Sequence, residues 1–121
     1  MSQAQIILVA VPGTELRQSI VFALEADGFE IVSYSSLTAA LAAPEARRAA
    51  SLVVDENALQ SADSEQLLRT FGRPIVLLVD KLRVVPEIAG IKVLTKPLLG
   101  RMLTETVKGT LAVGLDGVPP T

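Results

Sequence analysis

The sequence predicts an α/β fold in which a parallel five-stranded sheet carries helices on both faces. Three observations lead there. The runs QIILVAV (5–11), SLVVD (51–55), PIVLLVD (74–80) and IKVLT (91–95) are continuously apolar and rich in β-branched residues, the pattern of strands buried on both faces. Between them lie stretches of helical periodicity, and strands alternating with helices pair in parallel through right-handed crossovers. The 121 residues suffice for one domain with its own core and fall short of two.

Each element has a local cause. After the first strand, ELRQSIVFALEADG places Leu16, Ile20, Ala23 and Leu24 on one face, with Thr14 as the expected N-cap, Glu15 in the first turn and Gly28 as a left-handed stop. FEIVSYS (29–35) alternates more than the other strands and suits a position nearer the sheet edge. SLTAALAAPEARRAA reads as a second helix around Leu37 and Leu41, interrupted or restarted at Pro44, because proline is tolerated only in a first turn. SADSEQLLRTFG reads as a third, capped by Ser61 or Asp63 and ended by Gly72. The segment KLRVVPEIAG (81–90), with Pro86 and Gly90, supports at most a short helix or a loop. LLGRMLTETVKGTLAV is the last helix, with Leu99, Met102, Leu103, Thr106, Thr110 and Leu111 as its stripe. The tail GLDGVPPT is rich in Gly and Pro and reads as fraying or as the start of a linker.

Composition narrows the function. With 11 basic against 13 acidic residues the net charge is -2, so the basic footprint of a nucleic-acid binder is missing. Zero Cys and zero His remove disulfides, thiolate and imidazole nucleophiles, and Cys/His zinc sites; catalysis would fall to carboxylates, lysines or hydroxyls. The apolar runs are well short of the roughly 20 residues of a membrane span. The opening MSQAQIILVA lacks a basic segment and a cleavage site, which leads to the expectation of a cytoplasmic protein. The 50% hydrophobic content has two explanations: a face covered by a partner or a second copy, or simply an Ala-rich chain.

In parallel α/β sheets chemistry collects at the C-terminal strand ends, here Val11 to Gly13, Asp55 to Asn57, Val79 to Lys81 and Thr95 to Pro97. The turn VPG after the first strand has one glycine and no Walker lysine, so it reads as a strand-to-helix turn rather than a phosphate cradle. Arg47 and Arg48 read as a solvated helix end.

These segments, in this order and spacing, resemble the receiver (CheY-like) domain of bacterial two-component response regulators, over residues 5 to about 111. ILVAVPGTELRQSIVFALEADGFEIVSY aligns without gaps on that family's first strand, first helix and second strand, with Arg17, Gly28, Phe29 and Val32 matching. LVVDEN falls where the family carries its phospho-accepting aspartate, here Asp55, and VLTKP where it carries a lysine followed by proline, here Lys96. The resemblance implies a flavodoxin-like three-layer sandwich of strand order 2-1-3-4-5, with the fourth helix shortened or irregular. It implies a receiver-like domain over residues 1–112 and a tail or linker over 113–121.

The departures carry as much information. Val11 and Pro12 stand where the family has the acidic pair that holds Mg²⁺, Val79 where it has the Ser or Thr that binds the phosphoryl group, and Val93 where it has an aromatic switch. Mg²⁺ demands near-octahedral oxygen ligands and sheds water reluctantly, so Asp55 and a backbone carbonyl would hold it poorly. Without the metal, an anionic carboxylate attacking an anionic phosphate meets uncompensated repulsion, to which Asp80 would add. Asp55 is expected instead as a strand end in a salt bridge with Lys96, and Glu56 as an exposed acid. The expected function is a pseudo-receiver: not an enzyme, without cofactor, independent of phosphorylation, in signalling or transcription control. Its protein partner or second copy would sit on the face of the fourth helix, fifth strand and last helix, near residues 81–90, 91–95 and 99–111, with Val84, Val85 and Leu98 in the patch. Two alternatives are a working phospho-acceptor with Glu15, Glu56 or Asp80 as substitute Mg²⁺ ligands, and a small-ligand sensor using an apolar pocket near Val11 and Val79.

Overall fold

The apolar runs form five strands in the computed structural model, which describes residues 5–59, 63–80, 91–96 and 100–114. They are β1 (Ile6–Ala10), β2 (Glu30–Tyr34), β3 (Ala49–Asp55), β4 (Ile75–Val79) and β5 (Ile91–Thr95). All pairings are parallel and the order is β2-β1-β3-β4-β5. The more alternating β2 lies at an edge, as its pattern predicts.

Continuous apolarity follows from burial on both faces. Along β1, Ile6, Leu8 and Ala10 enter one cluster while Ile7 and Val9 enter the other, joined there by Val11 just past the strand end. The first cluster is covered by α2 (Leu37–Ala42) through Leu37 and Ala40, and by α3 (Ser64–Phe71) through Leu68 and Phe71. The second is covered by α1 (Thr14–Ala26) through Ile20 and Leu24, and by α4 (Gly100–Gly114) through Leu103 and Val107. At about 25 cal/mol per Å² of apolar surface, this two-sided burial is the main driving force of the fold.

Several local expectations need correction. Thr14 is the first residue of α1 rather than its cap; the chain enters the helix one residue earlier, and the Gly13 carbonyl accepts the Arg17 N–H at 2.9 Å. Gly13 has φ -71°, open to any residue, so the VPG turn has no special backbone. Pro44 does not restart an α-helix but opens a 3₁₀ turn (Pro44–Arg48), because the residue before it, Ala43, is forced into extended geometry. The buried stripe of α4 is Leu103 and Val107, with Leu111 packed against them, whereas Met102 is exposed. Ser36, unnoticed in the sequence, caps α2 by accepting the Ala39 N–H at 3.1 Å. The expected left-handed stops do occur at Gly28 (φ 96°) and Gly72 (φ 71°). The expected short fourth helix (81–90), Ser61, Leu98, Leu99 and residues 115–121 lie outside the described residues. The last helix runs to Gly114. Among the described residues no helix is long and apolar enough to cross a membrane.

One side chain fastens a corner of the sheet. Arg73, directly after the turn at Gly72, donates to the carbonyls of Ala46 (2.8 Å) and Ala49 (2.7 Å) and stacks over the Phe71 ring at 4.1 Å. It thereby ties the 3₁₀ turn to the start of β4, and burial lowers its pKa. Arg73→Ala is expected to cost about 2 kcal/mol in urea unfolding, since charged hydrogen bonds contribute about 1.5–3 kcal/mol. Arg69→Ala, which removes only an exposed pair with Glu65 at 3.7 Å, should stay within about 0.5 kcal/mol.

Candidate functional site

The C-terminal ends of β3, β4 and β5 bring Asp55, Glu56, Asp80 and Lys96 together. Asp55 ends β3 with its side chain 3% exposed, and each carboxylate oxygen has a donor: Oδ2 lies 2.7 Å from Lys96 Nζ, and Oδ1 accepts the Asn57 N–H at 2.8 Å. The second contact is a local turn of the kind aspartate forms with its own backbone two residues on, and it starts a 3₁₀ turn (Glu56–Ala58). Lys96 follows β5, and its own N–H reaches the Val79 carbonyl at 2.7 Å, which fixes the lysine beside β4.

Lys96 has a second acidic partner, Asp80, at 3.3 Å. Burial by itself would lower the pKa of this ammonium; the hydrogen bonds and charges of Asp55 and Asp80 outweigh it and leave the pKa raised. Asp80, expected to repel an incoming phosphate or, in the alternative, to serve as a substitute Mg²⁺ ligand, pairs with the lysine. Glu56 is not a solvated exposed acid: it is half-buried, and its carboxylate accepts the N–H of Asp80. Neither pairing was legible beforehand, because each joins groups 16 to 24 residues apart across strand ends.

The substituted positions are placed as follows. Val11 is fully buried in the cluster under α1 and α4, whereas Val79, 2% exposed, is buried in the opposite cluster. Their side chains therefore fill the core on opposite faces of the sheet. Pro12 is exposed, and Val93 is 41% exposed on the edge strand β5. Arg17, noted only as a match, donates to the carbonyls of Val11 (2.8 Å) and Pro12 (3.3 Å) and so pins the turn after β1. Glu15 lines a shallow groove on α1 with Gln18, Ser19, Phe22 and Ala23.

The donor set does not fit magnesium. Asp55 presents its oxygens to an ammonium and a backbone amide, β1 contributes no carboxylate, and Asp80 turns to Lys96. Among the described residues no group of three acidic, His or Cys side chains could hold a metal ion. The arrangement holds one cation, Lys96, between two anions, Asp55 and Asp80.

No family model matches the sequence. The transcriptional regulator protein FixT of Rhizobium meliloti is 32% identical over 102 residues, covering 83% of this chain and 87% of that one. A response regulator from Thermotoga maritima superposes with a TM-score of 0.70 at 18% identity, over 91% of this chain and 99% of the other. A response regulator receiver domain protein from Bacillus halodurans gives 0.74 at 14% identity, over 89% and 97%. At these identities the two structures establish the fold.

Breaking the central pair leaves a charge in a nearly closed site. Asp55→Ala should cost about 3 kcal/mol, the lower end of the range for buried pairs. A double-mutant cycle with Lys96→Met, read by chemical denaturation, should show the two losses to be strongly non-additive. Because the folded pKa of Lys96 is raised, its contribution is complete below the ordinary lysine value and is lost as pH climbs through the higher folded value. The stability gap between wild type and Lys96→Met should therefore be constant through neutral pH and close in alkali.

Proposed function

The chain belongs to the response regulator receiver family, and we propose that it works there as a receiver-like signalling module in bacterial transcription control, independent of aspartyl phosphorylation. The likeness to FixT supports the transcriptional context. The observation that carries the phosphorylation independence is the commitment of Asp55: one oxygen to Lys96, the other to the Asn57 amide. Phosphoryl transfer is almost entirely positioning and charge neutralisation. With Val11 and Pro12 in place of carboxylates, the charge to be neutralised here is the protein's own, and its own lysine neutralises it.

Output then rests on surface contacts. The exposed large apolar side chains among the described residues are Phe22, Val93 and Met102. Two of these, Val93 on β5 and Met102 on α4, lie on the elements expected to meet a protein partner or a second copy. The reading makes the protein a cytoplasmic interaction module rather than an enzyme, with residues 1–112 as its receiver-like domain and 113–121 as a tail or linker.

The test is a titration of the labelled chain with beryllofluoride and millimolar Mg²⁺. The expected result is no change in the amide signals of Asp55, Val79 and Lys96, and an unchanged light-scattering mass on adding a small phosphodonor. Saturable, Mg²⁺-dependent shifts at those three residues would overturn the reading in favour of a working phospho-acceptor.

A further inference from the structure

Asp80 is 63% exposed at the side chain, yet both its backbone and its carboxylate are engaged. The N–H donates to the Glu56 carboxylate, and Oδ1 lies 3.3 Å from Lys96 Nζ. Lys96 reaches Asp55, and Asp55 precedes Glu56 in the chain. The contacts therefore close a ring through β3, β4 and β5. This ring sits just beyond the last registered pair of the β4–β5 ladder, Val79 with Thr95.

We propose that Asp80 is a built-in anionic partner of Lys96 that latches the ends of β3, β4 and β5 in one arrangement, so that the site stands engaged without any added group. This rests on the reading that Asp55 receives no phosphoryl group. An ammonium has three N–H donors; Asp55 and Asp80 each take one, so an external anion is left a single donor flanked by two carboxylates. The latch holds β5, and the exposed Val93 on it, against β4 at all times. A surface that other proteins could switch by adding a charge is here held by a residue of the chain.

Amide hydrogen exchange on the full chain tests this, comparing wild type with Asp80→Asn, Asp80→Ser and, as a control for loss of an exposed acid, Glu65→Gln. In both Asp80 variants the protection of the Lys96 amide, bonded to Val79, should fall roughly threefold to fivefold, the scale of a partly exposed ion pair. The amides of Leu8 and Val53 in the core should keep wild-type protection, and Glu65→Gln should change none of the three. Unchanged protection at Lys96, or a loss shared equally by Leu8 and Val53, would overturn the latch. The beryllofluoride titration of the wild type reads the underlying proposal separately. A response there alongside loss of Lys96 protection in the Asp80 variants defeats phosphorylation independence and leaves the latch standing. Silence there with unchanged Lys96 protection defeats the latch alone.

Discussion

The contact on which the top of this sheet depends is the ammonium of Lys96 against the carboxylate of Asp55, 2.7 Å apart beside a core in which, among the described residues, Asp55 is the one buried charge. Each group alone would be costly to desolvate, and together they are tolerable because each oxygen and the ammonium find donors or acceptors. Asp55 is held by its own strand and by the Asn57 amide; Lys96 is held by the Val79 carbonyl. The pair therefore joins β3 to β5 across β4, which hydrogen bonding within the sheet cannot do, since β3 and β5 are not neighbours.

Beneath that pair, the sheet is stable because it is apolar on both sides. Alternate residues of β1 and β4 enter opposite clusters, and every position in both strands is buried. Polar groups inside this layer are few and satisfied: the buried Ser51 hydroxyl donates to the Pro74 carbonyl at 2.9 Å. At the lower corner Arg73 serves four backbone carbonyls, three of them in the irregular chain at residues 46, 47 and 49, to which the guanidinium supplies hydrogen-bond donors. On the α1 and α4 side the ion pair of Lys108 with Asp27, 2.6 Å, links the two helices at their solvent edge.

The fold was largely legible in the sequence because its signals are local. Continuous β-branched runs, helical stripes and the glycines at 28 and 72 are each read within a few residues, and the strand order came with the receiver resemblance. What escaped were contacts set by three-dimensional placement. The bond from Glu56 to the Asp80 amide and the reach of Arg73 to residues 46 and 49 join positions that no periodicity connects. Asp80 was read only against an incoming anion; its ion pair with Lys96 depends on the meeting of the β4 and β5 ends, which no local pattern encodes. The inward turn of Val107 in place of Met102 reflects a helix phase that a stripe of mixed Thr and Leu left ambiguous.

The substitutions at the strand ends form one consistent change rather than scattered losses. A carboxylate at position 11 would point into the cluster of Ile20, Leu24 and Leu103, where valine is fully buried, and would need a cation to be stable there. With valine in place β1 offers a metal no carboxylate, and the counter-charge in reach of Asp55 is Lys96, the lysine that the receiver resemblance places there, at 2.7 Å. Lys96 then has donor capacity left over, and Asp80 takes it. At these strand ends the charges of Asp55, Lys96 and Asp80 are paired with one another. The apolar area that holds the fold together lies beneath them and is independent of that pairing.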